Sequence, residues 1–219
     1  MYSIEDIDFD KHIVAGVDEV GRGCYVGPVY AAAVILYKDD NSKEYASIRD
    51  SKKITSEKRR EELCEYIKEK SMDWAVASLP VEYIDKHNIL NASIECMRKA
   101  LSALEVKPDF ILVDGNQFLK FKDIQHFLVP GGDNKFKCIG AASIVAKVYR
   151  DEYITRVLDP QYPQYNWKKN KGYGTKEHEQ AIRDYGITEY HRKKFVSKFK
   201  EPEPIQLISP GRADYCPFD

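Results

Sequence analysis

Asp18 and Glu19 stand side by side at the end of an apolar run, and Gly21-Arg22-Gly23 follows within two residues. Adjacent carboxylates suit a hard cation such as Mg²⁺. Glycines let backbone approach a ligand closely, and arginine carries a fork of donors matched to phosphate. The segment therefore points to metal-assisted chemistry on a phosphate backbone. Asp114 comes after Phe110-Ile111-Leu112-Val113 and before Gly115-Asn116, while Asp151 is spaced by fours with Lys147 and Ser143. Taken singly, each acid has a plain explanation, as a turn residue or part of a solvated helix face. Together they are four carboxylates from two strand ends and one helix face. Four acids neutralise two Mg²⁺ or Mn²⁺ ions and leave room for waters and a substrate oxygen. Two such ions, about 4 Å apart, clamp the attacking and leaving oxygens of an in-line phosphoryl displacement. Without metal the crowded acids repel one another, which raises some of their pKa values and predicts that metal stabilises the fold.

The cations are local. Net charge is only −1, so affinity for phosphate must come from one basic face. Candidates are Lys52 and Lys53 in Asp50-Ser51-Lys52-Lys53, Lys147 one turn before Asp151, and Lys169, Lys171 and Lys176 around Tyr173. Aromatics interleaved with lysines fit a nucleic-acid backbone and sugar. The competing reading is a solubilising surface with Tyr173 in a core. His178 and His191 are expected to pack rather than relay protons, because two-metal hydrolysis needs no histidine base.

Periodicity supplies the elements that would carry these groups. Strands are expected at 12–17, 29–36, 74–79 and 110–113, the first two as a hairpin-like pair across Gly27-Pro28. Helices are expected at 58–70, capped by Thr55 or Ser56, at 91–104, capped by Asn91, and at 141–158 and 176–185. Adjacent strand residues face opposite ways. Asp18 and Glu19 would therefore share a site only if the chain bends, which the glycines permit. On the 141–158 helix, Ile144, Val145 and Val148 lie opposite the polar stripe and can reach a core. The 219 residues are 43% apolar and 32% charged, enough for one domain with an appendage. Five scattered cysteines without a CxxC, and no leader pattern, suggest free thiols in a reducing cytoplasm. No apolar run approaches the roughly 20 residues of a membrane span.

These motifs, in order over about residues 13–195, resemble the ribonuclease HII family: Val17-Asp18-Glu19-Val20-Gly21-Arg22-Gly23, Asp50-Ser51-Lys52-Lys53, Asn88 to Ser93, Val113-Asp114-Gly115-Asn116, Ala141 to Asp151, Lys171-Gly172-Tyr173-Gly174-Thr175-Lys176-Glu177-His178, and His191-Arg192. The resemblance implies an α/β fold, a ribonuclease H-like mixed sheet flanked by helices, with a small helical C-terminal extension. It divides the chain into a catalytic core (1–158), a helical substrate-binding extension (159–199) and a tail (200–219). It implies Asp18, Glu19, Asp114 and Asp151 as metal-binding catalytic acids, with Asp18 bridging two Mg²⁺ or Mn²⁺ ions. Gly21, Arg22, Gly23 and Tyr173 would meet over the ribose and sense its 2′-hydroxyl, and Lys52, Lys53 and Lys147 would contact phosphates. The implied substrates are RNA–DNA hybrid and DNA containing ribonucleotides, cut 5′ of the ribonucleotide to leave a 5′-phosphate. A monomeric enzyme is expected, with the tail free to hold a protein partner. Three features depart from the family pattern. Cys24-Tyr25 replaces Pro-Leu, Val20 replaces Ala, and Asn170 stands where histidine is common. They bear on fine substrate preference and touch none of the four acids. The competing classes are a hybrid-binding module without cleavage, which a missing acid would mark, and a different nuclease or strand-transfer enzyme of the same broad fold.

Overall fold

The computed structural model describes residues 3–37, 42–48, 54 and 56–199. The expectations for residues 50–53, including Lys52 and Lys53, for Thr55 and for the 200–219 tail lie outside these.

Five strands form one mixed sheet in the order β3-β2-β1-β4-β5. They are β1 (Val14–Val20), β2 (Val29–Leu36), β3 (Ser71–Leu79), β4 (Phe110–Asp114) and β5 (Gln125–Val129). β1 runs antiparallel to β2, completing the expected hairpin, and parallel to β4. The edge strand β5 carries no sequence signal. Its burial does not alternate, and it is held by pairing with β4.

The helices are α1 (Lys43–Ser47), α2 (Glu57–Lys70), α3 (Val81–His87), α4 (Ile89–Ser102), α5 (Lys137–Tyr153), α6 (Trp167–Asn170), α7 (Lys176–Tyr185) and α8 (Lys193–Val196). Ser56 caps α2 by accepting from the Arg59 amide, and Thr175 caps α7 by accepting from His178. α4 and α5 depart most from the expected spans. α4 begins at Ile89 rather than 91, because Asn88, not Asn91, is the cap: its side chain accepts from the Asn91 amide. α5 begins four residues before 141. At 154–158 it widens into a π-helical turn instead of continuing as α-helix.

α4 covers one face of the sheet against Ala15, Val17, Ala31, Ala33 and Ile35. α2 and α5 cover the other, against Ala32 and Val34. The alanine run of β2 follows from this double cover, since bulkier side chains would hold the helices off. Gly16 permits the closest approach. A Cβ there would collide with the backbone of Cys138 and Ile139 at the start of α5. A further cluster joins Val26 to Ile154, Leu158, Tyr165, Trp167, Ile182 and Val196, seating the helices after residue 158 on the loop between β1 and β2. Four cysteines (24, 64, 96 and 138) are buried free thiols. Among the described residues no helix is long and apolar enough to cross a membrane.

Candidate active site

Strand register brings three of the acids together. β1 and β4 pair in parallel only as far as Val17 opposite Val113. The next residues in each strand are Asp18 and Asp114, where the two central strands open at their carboxyl ends, a common place for a ligand crevice in α/β sheets. β1 continues through Val20 against β2, so the expected bend at Asp18-Glu19 is absent. The chain turns only after Val20, at Gly21, whose φ of 94° lies in the left-handed region that favours glycine. Asp18 and Glu19 do leave opposite faces, but the open strand end lets their charges meet. Asp18 is buried and its carboxyl is held well above the usual range, by burial first and then by the charges of Glu19 and Asp114; Ser143 and the Glu19 amide work against the rise. Burial also raises Glu19, opposed by Arg22, with Asp114 adding to the rise.

Each acid has a partner of its own. The Glu19 amide donates to Asp18 Oδ1 at 2.7 Å, Arg22 Nη1 to Glu19 Oε1 at 3.3 Å, and the Gly132 amide to Asp114 Oδ1 at 2.7 Å. Lys147 Nζ donates to Asp151 Oδ1 at 2.8 Å. The α5 stripe is thus no solvated face: Ser143 reaches Asp18, and Asp151 is buried. Among the described residues no three His, Cys, Asp or Glu side chains are gathered into a finished metal cage. The donor set nevertheless fits Mg²⁺ or Mn²⁺. It is all carboxylate oxygen, and the buried, mutually repelling charge of Asp18, Glu19 and Asp114 is what a dication would neutralise.

The glycine loop and the Tyr173 segment are knitted together. Cys24 forms an antiparallel bridge with Tyr173, and the amides of Tyr25 and Val26 both donate to Gly172 O, at 2.8 and 3.3 Å. Tyr173 is 39% exposed, so the core reading of this residue does not hold. Burial of part of its ring raises the phenol to about 12, which keeps the hydroxyl protonated near neutral pH. The cations at its ring are Lys147 and Arg150, 5.6 and 5.9 Å from the centroid. Two lysines of the expected ring are ion-paired instead. Lys169 binds Glu177 at 2.9 Å and Lys171 binds Glu57 at 2.8 Å.

Behind Tyr173 lies a chain of neutral histidines. His178 Nδ1 donates to Tyr173 O at 2.8 Å, because a carbonyl can only accept, which leaves Nε2 to accept from Trp167 Nε1 at 3.0 Å. The Thr188 amide donates to His191 Nδ1 at 2.9 Å, so the His191 proton sits on Nε2 and faces His178 Nε2 at 3.2 Å. Both rings are buried, as expected of packing histidines. Burial pushes His191 down to about 3, with His178 adding to the effect, and burial lowers His178 as well.

Sequence reasoning gave no role to Arg150 or Arg192. Both are wholly buried. Arg150 donates from Nε to Pro28 O, from Nη1 to Lys171 O and from Nη2 to Val26 O, at 3.0 to 3.3 Å, binding the loop to the Tyr173 segment. No local pattern marks an arginine as inward-facing when two of its three carbonyl partners lie more than 120 residues away.

This strand order, with acids at the adjacent ends of its two central strands, defines a protein of the ribonuclease H fold. The ribonuclease HII family model matches residues 15–199. Ribonuclease HII of Bacteroides thetaiotaomicron is 50% identical over 183 residues, 84% of this chain and 89% of the relative. That of Pelagibacter ubique is 50% identical over 84% of this chain and 95% of its own. Among solved structures, the PCNA:RNase HII complex of Archaeoglobus fulgidus superposes with a TM-score of 0.72 at 26% identity, over 87% of this chain and 98% of that one. The chain belongs to the ribonuclease HII family and is a hydrolytic endoribonuclease acting on the RNA of RNA–DNA hybrids. The family is metal-dependent.

Proposed function

We propose that this enzyme also cuts duplex DNA 5′ of a single embedded ribonucleotide, by a two-metal-ion mechanism that leaves a 5′-phosphate and a 3′-hydroxyl. The observation that carries the reading is the bridge between Cys24 and Tyr173, which puts Gly21-Arg22-Gly23 and a half-covered tyrosine side by side next to the acids. Asp18, Glu19, Asp114 and Asp151 are the residues that would hold Mg²⁺ or Mn²⁺. When bound, these ions supply an activated water and stabilise the departing 3′ oxygen.

The chain's own residues do the rest. Gly23 leaves space in front of the loop, since a Cβ there would meet nothing within 4 Å. Tyr173 rests on the ribose and offers a protonated hydroxyl toward the 2′-hydroxyl, the group that distinguishes RNA from DNA. Lys147, paired with Asp151 and close to Tyr173, is placed to exchange its carboxylate for a phosphate oxygen when substrate and metal enter. In this reading residues 159–199 are the substrate-binding extension, and the enzyme works as a cytoplasmic monomer.

The test is incubation with Mg²⁺ and a labelled DNA duplex carrying one ribonucleotide, beside an all-DNA control. A single cut 5′ of the ribonucleotide, abolished by chelation, is expected. Cleavage of continuous hybrid without that cut would remove the sensing roles of the loop and Tyr173 and keep the nuclease.

A further inference from the structure

The loop after β1 turns its carbonyls inward. Arg192 Nη1 donates to Gly21 O at 2.7 Å and to Arg22 O at 3.1 Å, and Nε donates to Gly27 O at 2.9 Å. No described peptide bond is cis. In a trans peptide the carbonyl of one residue and the N–H of the next point in opposite directions. Holding the carbonyls of Gly21 and Arg22 toward the core therefore aims the amides of Arg22 and Gly23 outward. Among the described residues neither amide has an acceptor. Arg22 and Gly23 are exposed while Gly21 is buried, which is the same polarity seen in burial.

Gly23 adds an independent observation. Its φ is not in the left-handed region, and a Cβ would meet nothing within 4 Å, so the protein's own packing does not require glycine there. A glycine at this position keeps the space before the two amides clear. Successive outward N–H groups of this kind make a concave donor for an anionic or hydroxyl oxygen.

We propose that Arg192 is the positioning residue for ribonucleotide recognition: by gripping the carbonyls of Gly21 and Arg22 it aims the amides of Arg22 and Gly23 at the sugar and phosphate of the strand to be cut. This rests on the function proposed above. Asp85 supports the grip. Its charge favours the guanidinium, and its Oδ2 accepts from the Lys193 amide at 3.3 Å. A lysine at 192 keeps the charge but cannot hold three carbonyls in one fork.

The experiment compares wild type and Arg192→Lys on two substrates in Mg²⁺, a duplex with one ribonucleotide and a continuous RNA–DNA hybrid, with melting temperatures recorded with and without Mn²⁺. A continuous hybrid offers neighbouring 2′-hydroxyls to a misaimed loop; a single ribonucleotide offers one. The variant is expected to keep its stabilisation by Mn²⁺. Its kcat/KM should fall about tenfold or more further on the single ribonucleotide than on the hybrid, the scale of one or two charge-assisted hydrogen bonds. An unchanged ratio between the substrates, whether activity is kept or lost equally on both, overturns the role. If Arg192→Lys does not fold, Asp85→Asn carries the test: the ratio must shift in the same direction, and an unchanged ratio overturns the proposal. Failure of the wild type on the single ribonucleotide would instead sink the proposed function itself.

Discussion

The two halves of the site are built by opposite physics. The acid half sits at the ends of β1 and β4 and on α5, where a rigid sheet and helix force like charges together. The sensing half, loop 21–27 with Tyr173, is held by buried arginines gripping carbonyls and by neutral histidines in a hydrogen-bonded chain. The first crowds like charges that a cation would neutralise, and the second takes its shape from hydrogen bonds made within the protein. Chemistry and recognition should therefore fail separately, and the perturbations below are chosen to separate them.

The largest effect is expected in the acid half. Asp114→Asn should lower cleavage of either substrate by about a thousandfold or more, because it removes several kcal/mol of transition-state stabilisation. Hybrid binding, measured by gel shift, should be largely kept. Full activity in that variant would take Asp114 out of the site. Tyr173→Ala belongs to the other half. It should cost about tenfold or more on a single ribonucleotide, the scale of one aromatic stacking contact, and little in melting temperature, given how exposed the ring is. A steep melting loss with equal damage on both substrates would make Tyr173 a structural residue.

Metal should act on stability through the acid half alone. Saturating Mg²⁺ or Mn²⁺ should raise the melting temperature, a ligand at a hundred times its Kd contributing about 2.7 kcal/mol. The rise should shrink in Asp114→Asn and survive in Tyr173→Ala. An undiminished rise in Asp114→Asn would place the ion elsewhere.

The smallest effect is the pH dependence of the sensing half. His191 is neutral in the fold with a pKa of about 3, against about 6.5 when unfolded. Below pH 6.5 the unfolded chain binds the extra proton. The stability that neutral His191 contributes is thus complete above pH 6.5 and is lost as pH falls toward 3, by up to about 1.4 kcal/mol per pH unit. The raised carboxyls of Asp18 and Glu19 act with the opposite sign, so the comparison is urea unfolding at pH 7 and 5.5 for wild type and His191→Asn. A shallower pH dependence is expected in the variant, and equal slopes would contradict the neutral-histidine chain.

The same division explains what could be read from the residues alone. β2, α7 and the β1–β2 hairpin follow from local periodicity and cap chemistry. The acids stand out because a carboxylate ending an apolar run is a local signal. The grip of Arg150 and Arg192 is not local, since each reaches carbonyls more than 120 positions away and both look like ordinary surface charge in sequence. The β5 edge strand was illegible for the same reason, being stabilised by pairing rather than by alternation. The ion pairs of Lys169 and Lys171 are equally out of view in sequence, because Glu177 and Glu57 come from other elements.

Separability of the two halves is tested most directly by Gly23→Ala. No atom of the protein lies within 4 Å of the added methyl, so melting temperature and its rise with Mn²⁺ should match wild type, within the roughly 0.5 kcal/mol of an ordinary surface substitution. The measurement is the ratio of kcat/KM on a single embedded ribonucleotide to that on continuous hybrid. The ratio is expected to fall while stability and metal response stay intact. A ratio equal to that of wild type would contradict that separability.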